Sequence, residues 1–286
     1  MEIVTKFAPF VLFYIMLGIG MSTNIKSFVE ILKNLKVLLI GLTSQIIILP
    51  CIGFLFASFA TNDPALKVGI ILITSMPSAV SSNYITKLVN GNIALSVSLT
   101  AVSAILSFIT IPFIFIVVST MIISEVTILQ DLNFKKVSIG LLFMTTVPVL
   151  IGIFINTKFS IFVEKINKFF SYSSLFLFLF VIFGAWIAEW SSVIELYKSI
   201  GFLLLSLTVV ILITVNVLVN VFNLNLQNKR TIIIETLIQN GAMAIIVGEL
   251  TLGFGAGYMS VAAIYALLQY KLLCVWWATK KFLTNM

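Results

Sequence analysis

One carboxylate and a scatter of hydroxyls and amides stand inside runs that are otherwise apolar, and these are the residues that could do chemistry. Glu235 lies five residues past Arg230, roughly 8 Å further along a helix. A charged group well inside an apolar span costs on the order of 2.5–3.5 kcal/mol on insertion scales, so it needs a partner or a purpose. Gln239 falls one turn deeper on the same face, with Asn240 beside it. A second polar run holds Ser75, Pro77, Ser78, Ser81, Ser82 and Asn83. Pro77 removes a helix donor there. Backbone freed at such a break must find partners in protein or in a water-lined cavity. Asn83 is four residues from Lys87, again roughly 6 Å along a helix. Ser96 and Thr100 are spaced i, i+4 on one helix face. Gln45 is nine residues past Lys36 and Gln239 nine past Arg230, both roughly 13–14 Å.

The polar groups thus fall into two layers at matched depths on four elements. One holds Ser82, Asn83, Ser96, Thr100 and Glu235; the other holds Gln45 and Gln239. A lone Ser or Thr in a span usually bonds its own helix carbonyls, so the depth coincidence carries the reading. Every candidate atom is oxygen apart from amide nitrogens that can turn away, and one formal negative charge is present. Such a set suits a hard cation, and Na⁺ fits neutral hydroxyls and amide carbonyls plus one carboxylate. A carrier using protons, with Glu235 as the proton site, is the alternative. An intramembrane enzyme is more remote: it would want clustered acids, a metal motif or a nucleophile with a base. The sequence has no His, which removes Ser-His catalysis and His-ligated zinc or haem. Cys51 and Cys274 lie in apolar runs and read as packing residues. Gly18-x-Gly20 is too short for a dinucleotide fingerprint.

The elements that position these groups are membrane spans. Of 286 residues, 60% are hydrophobic and 9% charged, against roughly 25% charged in soluble domains. Apolar runs able to cross a ~30 Å hydrocarbon core recur along the whole chain. They predict nine helices near 7–22, 37–60, 66–87, 93–120, 136–156, 169–190, 199–222, 231–252 and 258–279. The expected class is therefore an all-α membrane protein whose residues 1–286 form one membrane domain. The first run is read as a retained helix, since no small-residue cleavage site follows it. Lys6, Lys67, Lys135, Lys136 and Lys198 fall on the N-terminal side of these spans. Lys26, Lys33, Lys36, Lys87, Lys158, Lys165, Lys168, Lys229, Arg230, Lys280 and Lys281 fall on the other, with Lys271 inside the last. The positive-inside rule then puts the N-terminus outside and the C-terminus in the cytoplasm. This bias accounts for the net charge of +7 without a nucleic-acid partner. Trp276 and Trp277 before Lys280 and Lys281 look like an interfacial belt.

At its polar runs the sequence resembles the bile acid:sodium symporter family. The stretch Pro77-Ser78-Ala79-Val80-Ser81-Ser82-Asn83, followed by Leu88, Gly91 and Ala94 to Thr100, is similar to its broken-helix signature. Glu235-Thr236-Leu237-Ile238-Gln239-Asn240 is similar to its second signature, Glu-x-x-x-Gln-Asn. Gly18 to Ser22, and Gln45 five residues before Pro50, also fit. The resemblance implies an inverted-repeat fold in its nine-helix form, with two crossed, interrupted helices in a core beside a separate panel. It implies one Na⁺ at Ser82, Asn83, Ser96, Thr100 and Glu235. It implies a second at Gln45 and Gln239, with backbone oxygens near Glu235, Thr236 and Ile238. The substrate, a small organic anion such as a bile acid, pantothenate or a keto acid, would lie beside Asn240. No obligate protein partner is implied, and the expected location is the inner cell membrane. Where the family has Pro-Gly-Gly and commonly Thr, this chain has Pro77-Ser78-Ala79 and Val80. Ser78 and Val80 fall where the anion's head group would dock, so these departures bear on the choice of substrate.

Overall fold

The computed structural model describes residues 2–59, 62–121, 134–188, 190–252 and 258–284. Within them the chain forms α1 (Glu2–Ser22), α2 (Ile25–Leu32), α3 (Leu35–Phe59), α4 (Pro64–Thr74), α5 (Val80–Leu88) and α6 (Ile93–Met121). The continuous run Phe134–Leu141, Leu142–Thr146 and Val147–Lys158 is α7. It is followed by α8 (Ser160–Ala188), α9 (Trp190–Val221), α10 (Leu226–Leu237), α11 (Gly241–Leu252) and α12 (Tyr258–Thr284). Among the described residues there is no strand, only an isolated antiparallel bridge between Ser78 and Gln239.

Among the described residues, five stretches are long and apolar enough to cross a membrane: Leu35–Phe59, Ile93–Val117, Lys135–Lys158, Ile194–Val221 and Met259–Ala278. The expected third and eighth spans are each two short helices with a break between them. α4 stops before Pro77, as the missing donor requires. α10 stops with no proline in reach; there Asn240 caps the new helix, its Oδ1 accepting from Met243 N at 3.0 Å. The amphipathic α2 has no counterpart among the expected spans. α8 and α9 begin at Ser160 and Trp190, about two and a half turns before the expected 169 and 199. Those extensions carry Glu164, Lys165, Glu195 and Lys198, which are good helix formers, so the helix does not stop where hydropathy does.

Two helices widen to a π turn, at Ser44–Ile48 in α3 and Leu142–Thr146 in α7. Both have one cause. Pro50 and Pro148 lack an N–H and press on the carbonyl four residues back. The ladder instead closes over five residues, Leu49 N–H on Ser44 O and Val147 N–H on Leu142 O. Other ends are set by local chemistry: Asp63 Oδ1 accepts from Ala65 N at 2.8 Å to start α4. Asn90 and Asn223, at φ 54 and 50, turn the chain out of α5 and α9.

Packing brings the two breaks together. α4 lies against α12, and α10 against α6 and α9. α1 meets α7 backbone to backbone; a Cβ on Gly152 would sit 2.4 Å from Leu17 O, the close approach that small residues give membrane helices. Arg230 Nη1 donates to Val89 O at 2.9 Å, and Lys36 Nζ lies 5.9 Å from the Phe222 ring centre. Lys36, Lys87, Lys229 and Arg230 therefore gather at one end, as the charge reading expected. At that end Arg230 also lies 5.2 Å from the Trp277 ring centre. The side chains of Lys280 and Lys281 lie outside the described residues. Lys271 is exposed, 5.9 Å from the centre of the Tyr197 ring.

Candidate functional site

The last turn of α10 is wholly enclosed, and Glu235 there is 0% exposed. Its carboxylate is met by neutral hydroxyls from the first break, α5 and α6. Ser78 Oγ and Thr100 Oγ1 donate to Oε2 at 2.5 and 2.8 Å; Ser82 Oγ donates to Oε1 at 2.5 Å. Ser96 Oγ also reaches Oε1, and lies 2.7 Å from Asn83 Oδ1 and 3.3 Å from Thr86 Oγ1. One serine proton cannot serve three acceptors. Ser82 Oγ likewise has both Glu235 and Ala79 O, the latter at 2.7 Å. Oxygen lone pairs therefore outnumber protons around a buried carboxylate. Among the described residues no basic side chain pairs with Glu235. A charge buried without a partner costs several kcal/mol, and the arrangement suits a cation without water around it.

All five residues expected in the first layer are thus brought together. Ser78, expected at the substrate, instead turns its hydroxyl to Glu235 and Thr100 (3.0 Å). The reason is the break itself: Ser78 bridges Gln239, which aims its side chain at the α10 terminus.

The second layer lies at the π turn of α3. Gln45 is 3% exposed, yet neither its Oε1 nor its Nε2 has a hydrogen-bond partner. Its neighbour Ser44 bonds Thr236 Oγ1 at 2.6 Å, fixing this turn against α10. Gln239 donates from Nε2 to Thr236 O at 2.6 Å, which leaves its Oε1 buried and unpartnered. Buried amide oxygens without donors are rare in folded proteins. The expected backbone oxygens are partly engaged, Thr236 O by Gln239 and Ile238 O by Ala79 N at 3.3 Å. Each carbonyl keeps a second lone pair.

The breaks are stitched to each other. Asn240 N donates to Pro77 O at 3.0 Å and Ala79 N to Ile238 O, like two residues of antiparallel strand. A third partner was missed by sequence reasoning. Gln269 of α12, 0% exposed, accepts from Gln239 N at 2.9 Å and donates from Nε2 to Gln239 O at 3.2 Å. Tyr265 OH donates to Leu237 O at 3.3 Å. The signal was available, since Gln269 interrupts the last apolar run as Gln45 interrupts the second.

Asn240 and Val80 line a narrow crevice between α1, α5, α8 and the start of α11, with Ile15, Ser81, Tyr84, Ser174 and Leu175. Asn240 is 2% exposed; capping occupies its Oδ1 and leaves Nδ2 as a donor. The N-termini of α5 and α11 both begin at this crevice, and helix N-termini favour anions.

Comparison with known proteins bears on the family of the chain. The family model described as "Sodium Bile acid symporter family" matches residues 9–196. An uncharacterized sodium-dependent transporter, YocS of Bacillus subtilis, is 35% identical over 99 residues, covering 34% of this chain and 30% of that one. The probable sodium/metabolite cotransporter BASS1, chloroplastic, of Arabidopsis thaliana is 31% identical over 160 residues, 54% and 36% of the two chains. The human P3 protein is 25% identical over 240 residues, 81% and 49%. The chain thus spans between 30% and 49% of the length of these relatives. The first two are transport proteins by description and not enzymes, and with the match over residues 9–196 the chain belongs to the sodium bile acid symporter family.

Proposed function

We propose that this protein is a sodium-coupled symporter that imports a small organic anion by alternating access. The observation that carries the reading is the buried Glu235 carboxylate, met by more oxygens than protons and by no basic side chain. One Na⁺ would be held by Glu235, Ser82, Asn83, Ser96 and Thr100, with Ser78 added to the expected set. A second would use Gln45 Oε1 and Gln239 Oε1, whose unpartnered state supports it, with the carbonyls of Glu235, Thr236 and Ile238 in reach of the same turn. The substrate's carboxylate would dock at Asn240 and Val80, against the N-termini of α5 and α11.

In this reading α4–α5 and α10–α11 each act as one interrupted span, giving nine. The reciprocal packing of α4 on α12 and of α10 on α6 supports an inverted repeat. The packing of α1, α7 and α8 on one another supports a panel beside the core. The N-terminus would face outside and the C-terminus the cytoplasm, in the cell's inner membrane. Sodium draws Gln45 and Gln239 together with Glu235, and so couples the ion to the crossing that shapes the anion site. The rival is proton coupling: a proton on Glu235 would also supply one of the missing hydrogens near Ser96. The test is thermal stabilisation of the purified protein by sodium, with potassium making up the ionic strength, across a panel of carboxylates. A ligand that binds the folded state raises its apparent stability by mass action. Sodium stabilisation that a particular anion deepens supports the reading; stabilisation by acid alone, indifferent to sodium, overturns it.

A further inference from the structure

α3 and α6 lie against each other along the first part of α3, up to its π turn at Ser44–Ile48. From that turn onward they enclose a groove of about 530 Å³, within the ~300–1,000 Å³ range of ligand sites. Its α3 wall runs from Ile46 to Leu55 and its α6 wall from Thr110 to Val117. Each wall carries a device that bends helices, the π turn before Pro50 on one and Pro112 on the other. No charged side chain lines the groove, and Thr110 and Cys51 supply its only polar side-chain atoms. Ile47, Leu55 and Phe113 are more than half exposed, so it opens on the outer face of two membrane spans. Gln45, on the inner side of the same turn, is buried.

We infer that this groove holds an acyl chain of a bilayer phospholipid. The groove starts at the depth of Gln45 and runs away from Lys36 and the basic end. Ile46 and Leu55 are nine residues apart, roughly 13–14 Å of helix. That is about half of a ~30 Å hydrocarbon core, the depth filled by the chains of one leaflet. The occupant therefore comes from the leaflet remote from the basic end. Water in the groove would leave its apolar walls unmet. A helix of a second copy, roughly 10–12 Å across, would bridge two touching neighbours, whereas a thin, flexible chain can follow a bent wall. Ile46 and Ile47 belong to the π turn that presents Gln45, so the chain supports that turn from behind. The inference goes beyond the carrier reading and does not depend on which ion or anion is carried.

The experiment strips the purified protein of lipid in detergent and follows its melting as dioleoyl phosphatidylcholine is added back. Wild type is compared with Cys51→Trp, whose indole would fill the groove, and with Cys274→Trp, which adds the same bulk at another exposed site. Wild type and Cys274→Trp should melt higher as lipid binds the folded state. In Cys51→Trp the lipid concentration giving half of that rise should increase on the order of tenfold or more, or the rise should vanish. A spin-labelled phosphatidylcholine should show a motionally restricted component that shrinks in Cys51→Trp and not in Cys274→Trp. If Cys51→Trp does not fold, Thr110→Phe plugs the groove from the other wall and is read in the same way. An equal lipid response in plugged and wild-type proteins overturns the inference. So does a wild-type dimer that Cys51→Trp turns into a monomer, since the occupant would then be a second copy of the chain.

Discussion

Replacing Glu235 by Gln keeps shape and removes charge, and the surroundings show what each part should cost. Four hydroxyls address the two carboxylate oxygens. In the amide one oxygen becomes an NH₂, so a pair of hydroxyls must accept instead of donate. With the nitrogen at the Oε1 position the pair has somewhere to send its protons: Ala79 O lies 2.7 Å from Ser82 Oγ, and Asn83 Oδ1 lies 2.7 Å from Ser96 Oγ. The fold should survive with a loss of about 1 kcal/mol per rearranged bond. The bound ion has no such refuge. Stripping the partner from a buried charge typically costs 3–5 kcal/mol, and at ~1.4 kcal/mol per tenfold this predicts a hundredfold or greater loss of apparent sodium affinity. Ser96→Ala and Thr100→Ala each delete one neutral ligand and should lose less. The assay is a sodium titration of thermal stability at fixed ionic strength, with uptake measured in parallel. A Glu235→Gln protein that melts normally and keeps wild-type sodium dependence would refute the reasoning.

Asn240→Ala should weaken anion binding about tenfold, by loss of one hydrogen bond, while sodium still stabilises the protein without anion; loss of the sodium response would move Asn240 to the ion site. Gln269→Leu leaves the buried N–H and C=O of Gln239 unmet, at about 1–3 kcal/mol each, and should blunt the sodium titration more than a control at exposed Cys274. An unchanged titration would confine Gln269 to packing. Gly152→Val presses on Leu17 O and Met21 N, 2.4 and 2.6 Å from the new Cβ, so the melting temperature should fall by an amount matching about 1–3 kcal/mol of overpacking. An unaltered melt would mean that α1 and α7 part without cost.

Much of the site was legible because polar atoms are outliers in apolar runs. Glu235, Ser82, Asn83, Ser96 and Thr100 stand out by depth, and the structure collects them within hydrogen-bond reach. Gln45 and Gln239 stood out in the same way, though the sequence could not say that their oxygens would lack partners. Ser78 was misjudged because its direction depends on the bridge to Gln239, which depends in turn on where α10 stops. That stop has no proline to announce it. The π turns could have been anticipated from Pro50 and Pro148 as bends, but not as the device that presents Gln45. The early starts of α8 and α9 were hidden because hydropathy marks where lipid ends, whereas Glu and Lys let the helix continue.

The central claim is that sodium drives the anion, and two opposed gradients test it most directly. The purified protein is placed in proteoliposomes with a labelled monocarboxylate chosen by thermal shift. Uptake is followed with an inward sodium gradient at equal pH, and with an inward proton gradient in potassium alone. The account predicts accumulation above the equilibrium level only in sodium, abolished in Glu235→Gln. Accumulation driven by the proton gradient without sodium would contradict it and make Glu235 a proton site.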